Sequence, residues 1–184
     1  MASTKIFRFD DVCINADIDL INNIASFILQ RVPDAQILFG ISPLVHDHCG
    51  QRVFPEMLNA YSDFRKFFAV DRAGIPGNLH PDAQLAGHGL YHIDHRLLTY
   101  EQQEMSIITS CALIKCKKYI PPFNKWNSDT EKICNENSIT LIKFEDGWLS
   151  MEYNAYNSSH AIWYLHAREW TMEKVVNWFN NKVL

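Results

Sequence analysis

Short apolar segments rich in β-branched and aromatic residues alternate along the chain with segments whose apolar residues recur at helical spacing. Strands are predicted at residues 5–12, 36–41, 84–87, 119–120, 139–144 and 161–165, and helices at 17–32, 56–68, 99–115, 128–137 and from 171 onward. Strands that alternate with helices form parallel βα units. The pattern therefore predicts an α/β fold with at least six parallel strands, in an open doubly wound sheet or a closed barrel.

The composition fits a single domain spanning residues 1–184. Hydrophobic residues make up 47 % and aromatic residues 12 % of the chain, which excludes a disordered protein. A net charge of −4 without a run of Lys or Arg argues against nucleic acid as a partner. No stretch of about 18 apolar residues is present to span a membrane. The N-terminus lacks an apolar signal core, so we expect a cytoplasmic protein.

The cysteines do not form a recognisable framework. They number five, at positions 13, 49, 111, 116 and 134, and no two of them form a Cys-x-x-Cys pair. In a cytoplasmic protein this pattern favours free, mostly buried thiols over a zinc ribbon or a set of disulfides.

Polar and titratable residues follow five of the predicted strands. These are Asp10 and Asp11, then His88 and His92, then residues 121–127, then Glu145 and Asp146, and finally His166. In parallel α/β folds the active site gathers at the carboxyl ends of the strands. The sequence therefore predicts one site at this edge of the sheet.

The adjacent carboxylates of Asp10 and Asp11 allow two interpretations. One of them could cap a helix while its neighbour is solvated, because Asp favours helix N-caps. Alternatively both reach one site where the strand ends, with one carboxylate binding a metal ion and the other acting as a base.

His88 and His92 are four residues apart, which places both imidazoles on one side of a helical turn, a common arrangement for zinc. Chance pairs are also expected among eight histidines. His95 is a rival ligand or a supporting residue, and Asp94 could orient an imidazole. Gly87 and Gly89 suit a tight turn from strand to loop.

The later segments offer substrate contacts and a proton donor. Residues 121–127 form either an ordinary connection or the wall of a sugar cleft, and the candidate substrate-binding residues are Pro122, Asn124, Trp126 and Trp148. His166 is either a half-buried structural histidine or an acid–base group, since its ordinary pKa lies near neutrality. Residues 43–80 form a long excursion, in which His46, Asp47 and His48 belong to a lid or to a solvated turn.

These residues together resemble the polysaccharide deacetylase family, the NodB-homology or carbohydrate esterase family 4 type. Arg8-Phe9-Asp10-Asp11-Val12 matches the Phe-Asp-Asp core of the family's first motif, and His88-Gly-x-x-His92 resembles its His-Ser/Thr-x-x-His motif. Residues 120–127 loosely resemble its Arg-x-Pro-x-Gly loop, and Tyr164-Leu-His166 its Leu-x-His motif. The chain looks especially similar to the WbmS-like deacetylases of O-antigen biosynthesis.

The resemblance implies an irregular (β/α) barrel with fewer than eight parallel strands. It also implies that Asp11, His88 and His92 hold one divalent metal ion, expected to be zinc. Asp10 would be the general base and His166 the general acid. The implied reaction is removal of an N-acetyl group from a sugar by attack of metal-activated water, and the implied partner is an N-acetylated sugar or carrier-linked glycan.

The chain departs from the family pattern at several positions. Arg8 stands for Thr or Ser, Val12 for Gly, Gly89 for Ser or Thr, and Tyr164 for Leu. The Arg of the third motif, which helps to hold the base, is missing, and Lys125, Arg8 or Arg168 are the candidates to replace it. This loss favours an alternative function, a non-catalytic carbohydrate-binding relic of the fold.

Two further classes of protein are less well supported. A metal-dependent phosphoesterase would be expected to carry a second, carboxylate-rich metal cluster, which the sequence does not show. A structural protein with scattered histidines would not explain why the polar residues follow successive strands.

Overall fold

A computed structural model describes residues 5–13, 16–43, 79–144, 147–154, 156 and 160–180. The side chain of Arg168 is outside the description. The predicted helix at 56–68, the residues His46, Asp47 and His48, and the acidic pair Glu145 and Asp146 also lie outside the described residues.

Seven parallel strands form one sheet. The strands are β1 (Ile6–Val12), β2 (Gln36–Ile41), β3 (Ala83–Gly87), β4 (Lys118–Tyr119), β5 (Thr140–Leu141), β6 (Leu149–Ser150) and β7 (Ile162–His166). Their order across the sheet is β5-β4-β3-β2-β1-β7-β6. No pairing joins the edge strands β5 and β6 within the described part of the chain. The sheet is thus a curled half-barrel, which confirms the predicted distorted (β/α) barrel with fewer than eight parallel strands.

Among the described residues, four α-helices connect and cover the strands. They are α1 (Ile18–Arg31), α2 (Tyr100–Leu113), α3 (Ser128–Glu136) and α4 (Met172–Phe179). Short 3₁₀ turns occupy His95–Leu97, Pro122–Asn124 and Ala167–Glu169. No helix among the described residues is both long and apolar enough to cross a membrane.

The side chains that begin the helices mostly match the sequence signals. In the sequence, Thr99-x-x-Gln102 and Ser128-x-x-Glu131 both match the capping-box pattern. Thr99 and Gln102 form such a box at the start of α2. The box predicted for α3 at Ser128 and Glu131 is wrong by one residue. The N-cap is the preceding Asn127, whose backbone is extended and whose Oδ1 accepts a hydrogen bond from the Thr130 amide at 3.1 Å.

Two short strands differ from the sequence prediction. The fifth strand ends at Leu141 rather than at residue 144, and the sequence gives no signal for β6. Each of these strands has only two residues, too few for a hydrophobic period to be read. Their position is defined by pairing with a neighbouring strand, β4 for β5 and β7 for β6.

Alternation along the central strands separates a core face from a polar face. Phe7 and Phe9 of β1 pack in the main core with residues of α1 and α4. Arg8 and Asp10 alternate with these two residues along the strand and therefore point to the opposite, inner face. In the parallel register Arg8 pairs with Tyr164 of β7. The inner face thus carries buried charge at the carboxyl end of the central strand.

Candidate active site

A bulge in β1 places the two adjacent carboxylates. Phe9 pairs with Phe39 of β2, whereas Val12 pairs with Ile41, so β1 contains one extra residue between these pairs. Asp11 adopts a left-handed backbone with φ of 61°, a conformation that Asp tolerates better than most residues. The extra residue turns the Asp11 side chain towards the β3 end while Asp10 remains beside Arg8. Both carboxylates therefore reach one site, as the metal-and-base interpretation requires.

The three predicted metal ligands lie together and are buried. Asp11 Oδ1 is 2.8 Å from His92 Nε2 and 3.3 Å from His88 Nε2. One candidate ligand atom from each residue lies within 4.8 Å of the other two. His88 Nδ1 is hydrogen-bonded to the Ile120 carbonyl at 2.9 Å, which fixes the ring and leaves Nε2 directed at Asp11.

The backbone that carries the histidines is a loop and not a helical turn, contrary to the sequence expectation. Residues 88–94 have no helical assignment, and both Gly89 and His92 have positive φ values, 75° and 53°. A Cβ atom at Gly89 would lie 2.8 Å from Pro122 Cγ. The position therefore requires glycine both for its conformation and for its close approach to the next loop.

The electrostatics of this group suit a divalent cation. Burial alone would raise the pKa of Asp11, but hydrogen bonds with His88 and His92 outweigh it and hold the pKa far below its usual range. Burial lowers the pKa of His92, and the hydrogen bond to Asp11 offsets only part of that effect. A carboxylate beside two imidazoles is a donor set that binds zinc. The residues present therefore fit the implied metal ion.

Arg8 holds the second carboxylate. Its Nη2 donates to Asp10 Oδ2 at 2.7 Å and to Asn124 Oδ1 at 2.6 Å, and the whole side chain is buried. The guanidinium lies over the rings of Trp148 and Tyr164, 4.7 and 5.2 Å from their centroids. Asp10 Oδ1 has no hydrogen-bond partner among the described residues. Arg8 thus fixes one oxygen of Asp10 and leaves the other available.

Of the three candidates for the missing motif Arg, the structure places Arg8 on Asp10. Lys125 is exposed, and the side chain of Arg168 is outside the described residues. Arg8 is on the same strand as Asp10, two residues earlier, rather than on the loop at 120–127. The contribution of that loop to Arg8 is the amide of Asn124.

His166 ends β7, directly beside Asp10 in the register of the sheet. Its Nδ1 lies 3.1 Å from Glu152 Oε1, and its side chain is 32 % exposed. Burial would lower the pKa of His166, but the hydrogen bond to Glu152 and the charges of Asp11 and Asp10 raise it above its ordinary value. Sequence reasoning missed Glu152, because it lies in a turn after a two-residue strand and no motif marks it.

The predicted substrate-binding residues have different surroundings. Asn124 and Trp148 contact Arg8, and Pro122 lies against the glycine of the histidine loop. The indole nitrogen of Trp126 donates to a carboxylate of α3 at 3.3 Å, which ties this side chain to α3. Phe123, which sequence reasoning did not select, is 40 % exposed and packs on the His92 ring with centroids 4.4 Å apart.

His95 and Asp94 do not join this group. His95 is fully buried, and its Nε2 forms a 2.7 Å hydrogen bond with the Tyr119 hydroxyl. Burial lowers the pKa of His95 to about 3, so the ring is neutral. Asp94 pairs with Arg96 at 2.7 Å instead of orienting an imidazole. His95 therefore anchors the histidine loop to Tyr119 of β4 and is not part of the candidate metal site.

Comparison with known proteins gives matches at the level of structure. No protein-family model and no curated protein matches the sequence. A family 4 carbohydrate esterase from Streptomyces lividans, solved with acetate, superposes with a TM-score of 0.56 and 14 % identity over 96 % of this chain and 84 % of its own. A peptidoglycan N-acetylglucosamine deacetylase superposes with a TM-score of 0.53 and 13 % identity over 88 % of this chain and 71 % of its own.

A pseudoenzyme of carbohydrate esterase family 4 from Bacillus anthracis has the same fold. It superposes with a TM-score of 0.56 and 11 % identity over 95 % of this chain and 57 % of its own. Both enzymes and a pseudoenzyme thus share this architecture, so activity has to be argued from the residues of the site. What these similarities establish is that the chain has the fold of the family 4 carbohydrate esterases.

Proposed function

We propose that this protein is a metal-dependent hydrolase that removes the N-acetyl group from a sugar. The observation that carries the proposal is the buried Asp11, His88 and His92 group, which lies beside a second carboxylate held by Arg8. Three protein ligands of these types are typical of catalytic zinc sites. The carbohydrate esterase fold supports a sugar amide as the substrate.

Asp11, His88 and His92 would hold the metal ion. When bound, such an ion lowers the pKa of a water molecule to about 7 and polarises a carbonyl oxygen. Asp10 would accept the proton of the attacking water on Oδ1, because Oδ2 is engaged by Arg8. The buried Arg8 keeps that carboxylate in one orientation, which general base catalysis requires.

His166 would protonate the leaving amine. It lies beside Asp10, is partly exposed, and has a raised pKa, so that its protonated form persists to higher pH than in an ordinary histidine. Hydrolysis of the amide C–N bond would release acetate from one side and a free amino sugar from the other. Glu152 would orient the imidazole through Nδ1 and leave Nε2 for the substrate.

For the substrate we propose an N-acetylated sugar of an O-antigen or capsule precursor, linked to a nucleotide or a lipid carrier in the cytoplasm. The resemblance of the motifs to the WbmS-like deacetylases supports this choice. The exposed ring of Phe123 beside His92 offers an apolar surface on which a sugar ring could stack.

A second candidate is a non-catalytic carbohydrate-binding protein with the same fold. The absence of Arg from the loop at 120–127 supports this alternative, and so does the presence of a pseudoenzyme among the structural neighbours. The ion pair between Arg8 and Asp10 argues against it, since a relic has no need of an oriented base. Catalytic release of acetate from an N-acetyl sugar is expected of the hydrolase and not of the non-catalytic protein.

The first experiment is metal stoichiometry by plasma emission, with Asp11→Ala and His92→Ala beside the wild type. About one zinc-like ion per chain, lost in both variants, supports the metal site. Asp82→Ala and His80→Ala are matched controls of the same residue types outside the site, and they should retain the ion.

Acetate release from nucleotide- and lipid-linked N-acetyl sugars then tests the reaction. Turnover by the wild type and its loss in Asp10→Ala would support the hydrolase. A protein that binds metal and sugar without turnover would favour the non-catalytic alternative. A protein that binds no metal after reconstitution would exclude the proposed mechanism.

A further inference from the structure

The C-terminus of α2 ends in a Schellman motif that is bounded by two cysteines. The amide of Cys116 donates to the Cys111 carbonyl at 2.9 Å, and the amide of Lys115 donates to the Ala112 carbonyl at 3.2 Å. Lys115 has the left-handed φ of 53° that this motif requires. In a Schellman motif the side chains at the two bounding positions commonly contact each other. Here those positions are both thiols.

The two thiols converge on one acceptor. Cys111 Sγ and Cys116 Sγ both lie within hydrogen-bonding distance of the same carbonyl oxygen, that of Lys118, at 3.4 and 3.3 Å. The backbone hydrogen bond between the two residues, with standard bond lengths, limits the separation of their Cα atoms to about 6.8 Å. A disulfide spans Cα separations of about 4.4–6.8 Å. The upper limit that the backbone sets therefore lies within the Cα separation that a disulfide can span.

The environments of the two sulfurs differ. Cys116 is half-buried, and the hydrogen bond from Cys111, together with neighbouring amides, lowers its pKa. Cys111 is buried, and both the Cys116 sulfur and burial raise its pKa. Burial raises the pKa of Cys134 to about 12. Only the thiolate is nucleophilic, so Cys116 is the thiol that reacts first.

We propose that Cys111 and Cys116 form a peroxide-oxidisable dithiol site that closes to a disulfide. The Cys116 thiolate attacks one oxygen of hydrogen peroxide, the O–O bond breaks, and the departing hydroxide takes up a proton to leave as water. The Cys111 sulfur then attacks the sulfenic acid sulfur and displaces hydroxide, which leaves as water with the Cys111 proton. Two thiols are oxidised and one peroxide is reduced to two waters.

The dithiol site of Cys111 and Cys116 contacts the end of β3, which precedes the histidine loop. A Cβ atom at Gly87 would lie 3.1 Å from Cys111 Sγ, and Gly87 is followed directly by His88. The disulfide would therefore form against the backbone that carries a predicted metal ligand. The inference itself does not depend on the hydrolase activity, because it concerns only the thiol chemistry.

The test is peptide mapping of the folded, reduced protein after treatment with hydrogen peroxide. Free thiols are alkylated, and the protein is digested with trypsin, which cleaves after Lys115 and so separates the two cysteines. The expected product is residues 97–115 joined to residues 116–117 by a disulfide, with a mass two hydrogens below the sum of the peptides. Peroxide should consume Cys116 at least tenfold faster than Cys134.

Matched variants separate the two roles. Cys116→Ser should leave Cys111 reduced, whereas Cys111→Ser should leave a Cys116 sulfenic acid that dimedone traps. Cys134→Ser should form the same disulfide as the wild type. The proposal is overturned if the wild type gives only Cys116 sulfinic acid, if both thiols stay reduced, or if isotope-labelled mixtures show that the cross-link joins two chains.

Discussion

The buried ion pair between Arg8 and Asp10 predicts a large and strongly non-additive loss of stability on substitution. The Arg8→Met variant keeps a long apolar stem but removes the guanidinium from a fully buried position. Asp10 then loses its ion-pair partner in a buried position, a change that costs about 3–5 kcal/mol. Loss of the cation–π contacts with Trp148 and Tyr164 contributes about 0.5–2 kcal/mol of this total.

The complementary change is Asp10→Asn, which removes the carboxylate charge. Arg8 retains the Asn124 amide oxygen as an acceptor at 2.6 Å. The expected cost is therefore smaller, about 1.5–3 kcal/mol, the range for a hydrogen bond to a charged group. The double variant has no uncompensated buried charge. We expect it to be more stable than the sum of the two single losses predicts, by about 2 kcal/mol.

Urea denaturation followed by tryptophan fluorescence measures the free energy of unfolding for all four proteins. A double variant whose loss equals the sum of the single losses within about 0.5 kcal/mol would refute the reasoning. The activity readout is separate from stability. Arg8→Lys keeps the charge but not the planar fork, so kcat should fall while KM and metal content stay near wild-type values. Full activity in Arg8→Met would show that Asp10 needs no such orientation.

Three further predictions concern the surroundings of the site. Gly89→Ala should lower the free energy of unfolding by about 2–4 kcal/mol and weaken zinc retention, because it combines a positive φ with a steric clash. Tyr119→Phe should cost about 1–3 kcal/mol in the same assay, since it leaves a buried imidazole without its partner. Glu152→Gln should lower the pKa of His166, measured by NMR, and move the alkaline limb of kcat to lower pH. The ion pair between His166 and Glu152 stabilises the fold while His166 is protonated and is lost as the pH rises through the raised pKa of His166. Glu152→Gln should therefore lower the free energy of unfolding mainly at pH values below that pKa.

Each prediction has a control in the same chain. Gly147→Ala shares the positive φ but meets open space, so it should cost only about 1 kcal/mol, and equal losses at both glycines would contradict the steric argument. Tyr153 is 82 % exposed, and Tyr153→Phe should change stability by less than about 0.5 kcal/mol. Glu169 lies 3.7 Å from His166 Nδ1, compared with 3.1 Å for Glu152. A larger shift of the histidine pKa in Glu169→Gln than in Glu152→Gln would reverse the assigned roles.

The long elements were predictable because their patterns are local. The apolar runs of β1 and β2 and the capping box at Thr99 carry enough information to locate strands and helices without tertiary context. The two-residue strands β5 and β6 were not, because only their neighbours in the sheet define them.

The residue types of the candidate site could be proposed from the sequence, but its geometry could not. The order of Asp11, His88 and His92 along the chain suggested a metal group, yet the bulge in β1 and the positive φ values that assemble it leave no mark in the sequence. In the sequence, Arg8 is a departure from the first motif of the deacetylase family. Its role becomes visible only when the parallel register brings Tyr164 beside it.

The pairing of β1 with β7 also sets the order in which the site can be completed during synthesis. β1 emerges from the ribosome first, but one of its edges stays unpaired until residues 162–166 have been made. Before that point the guanidinium of Arg8 lacks the Tyr164 ring, and Asp10 lacks the neighbouring His166. A nascent chain that stops short of β7 therefore exposes an open strand edge and holds an incomplete set of the proposed catalytic groups. Translation must pass residue 166 before the proposed activity can appear.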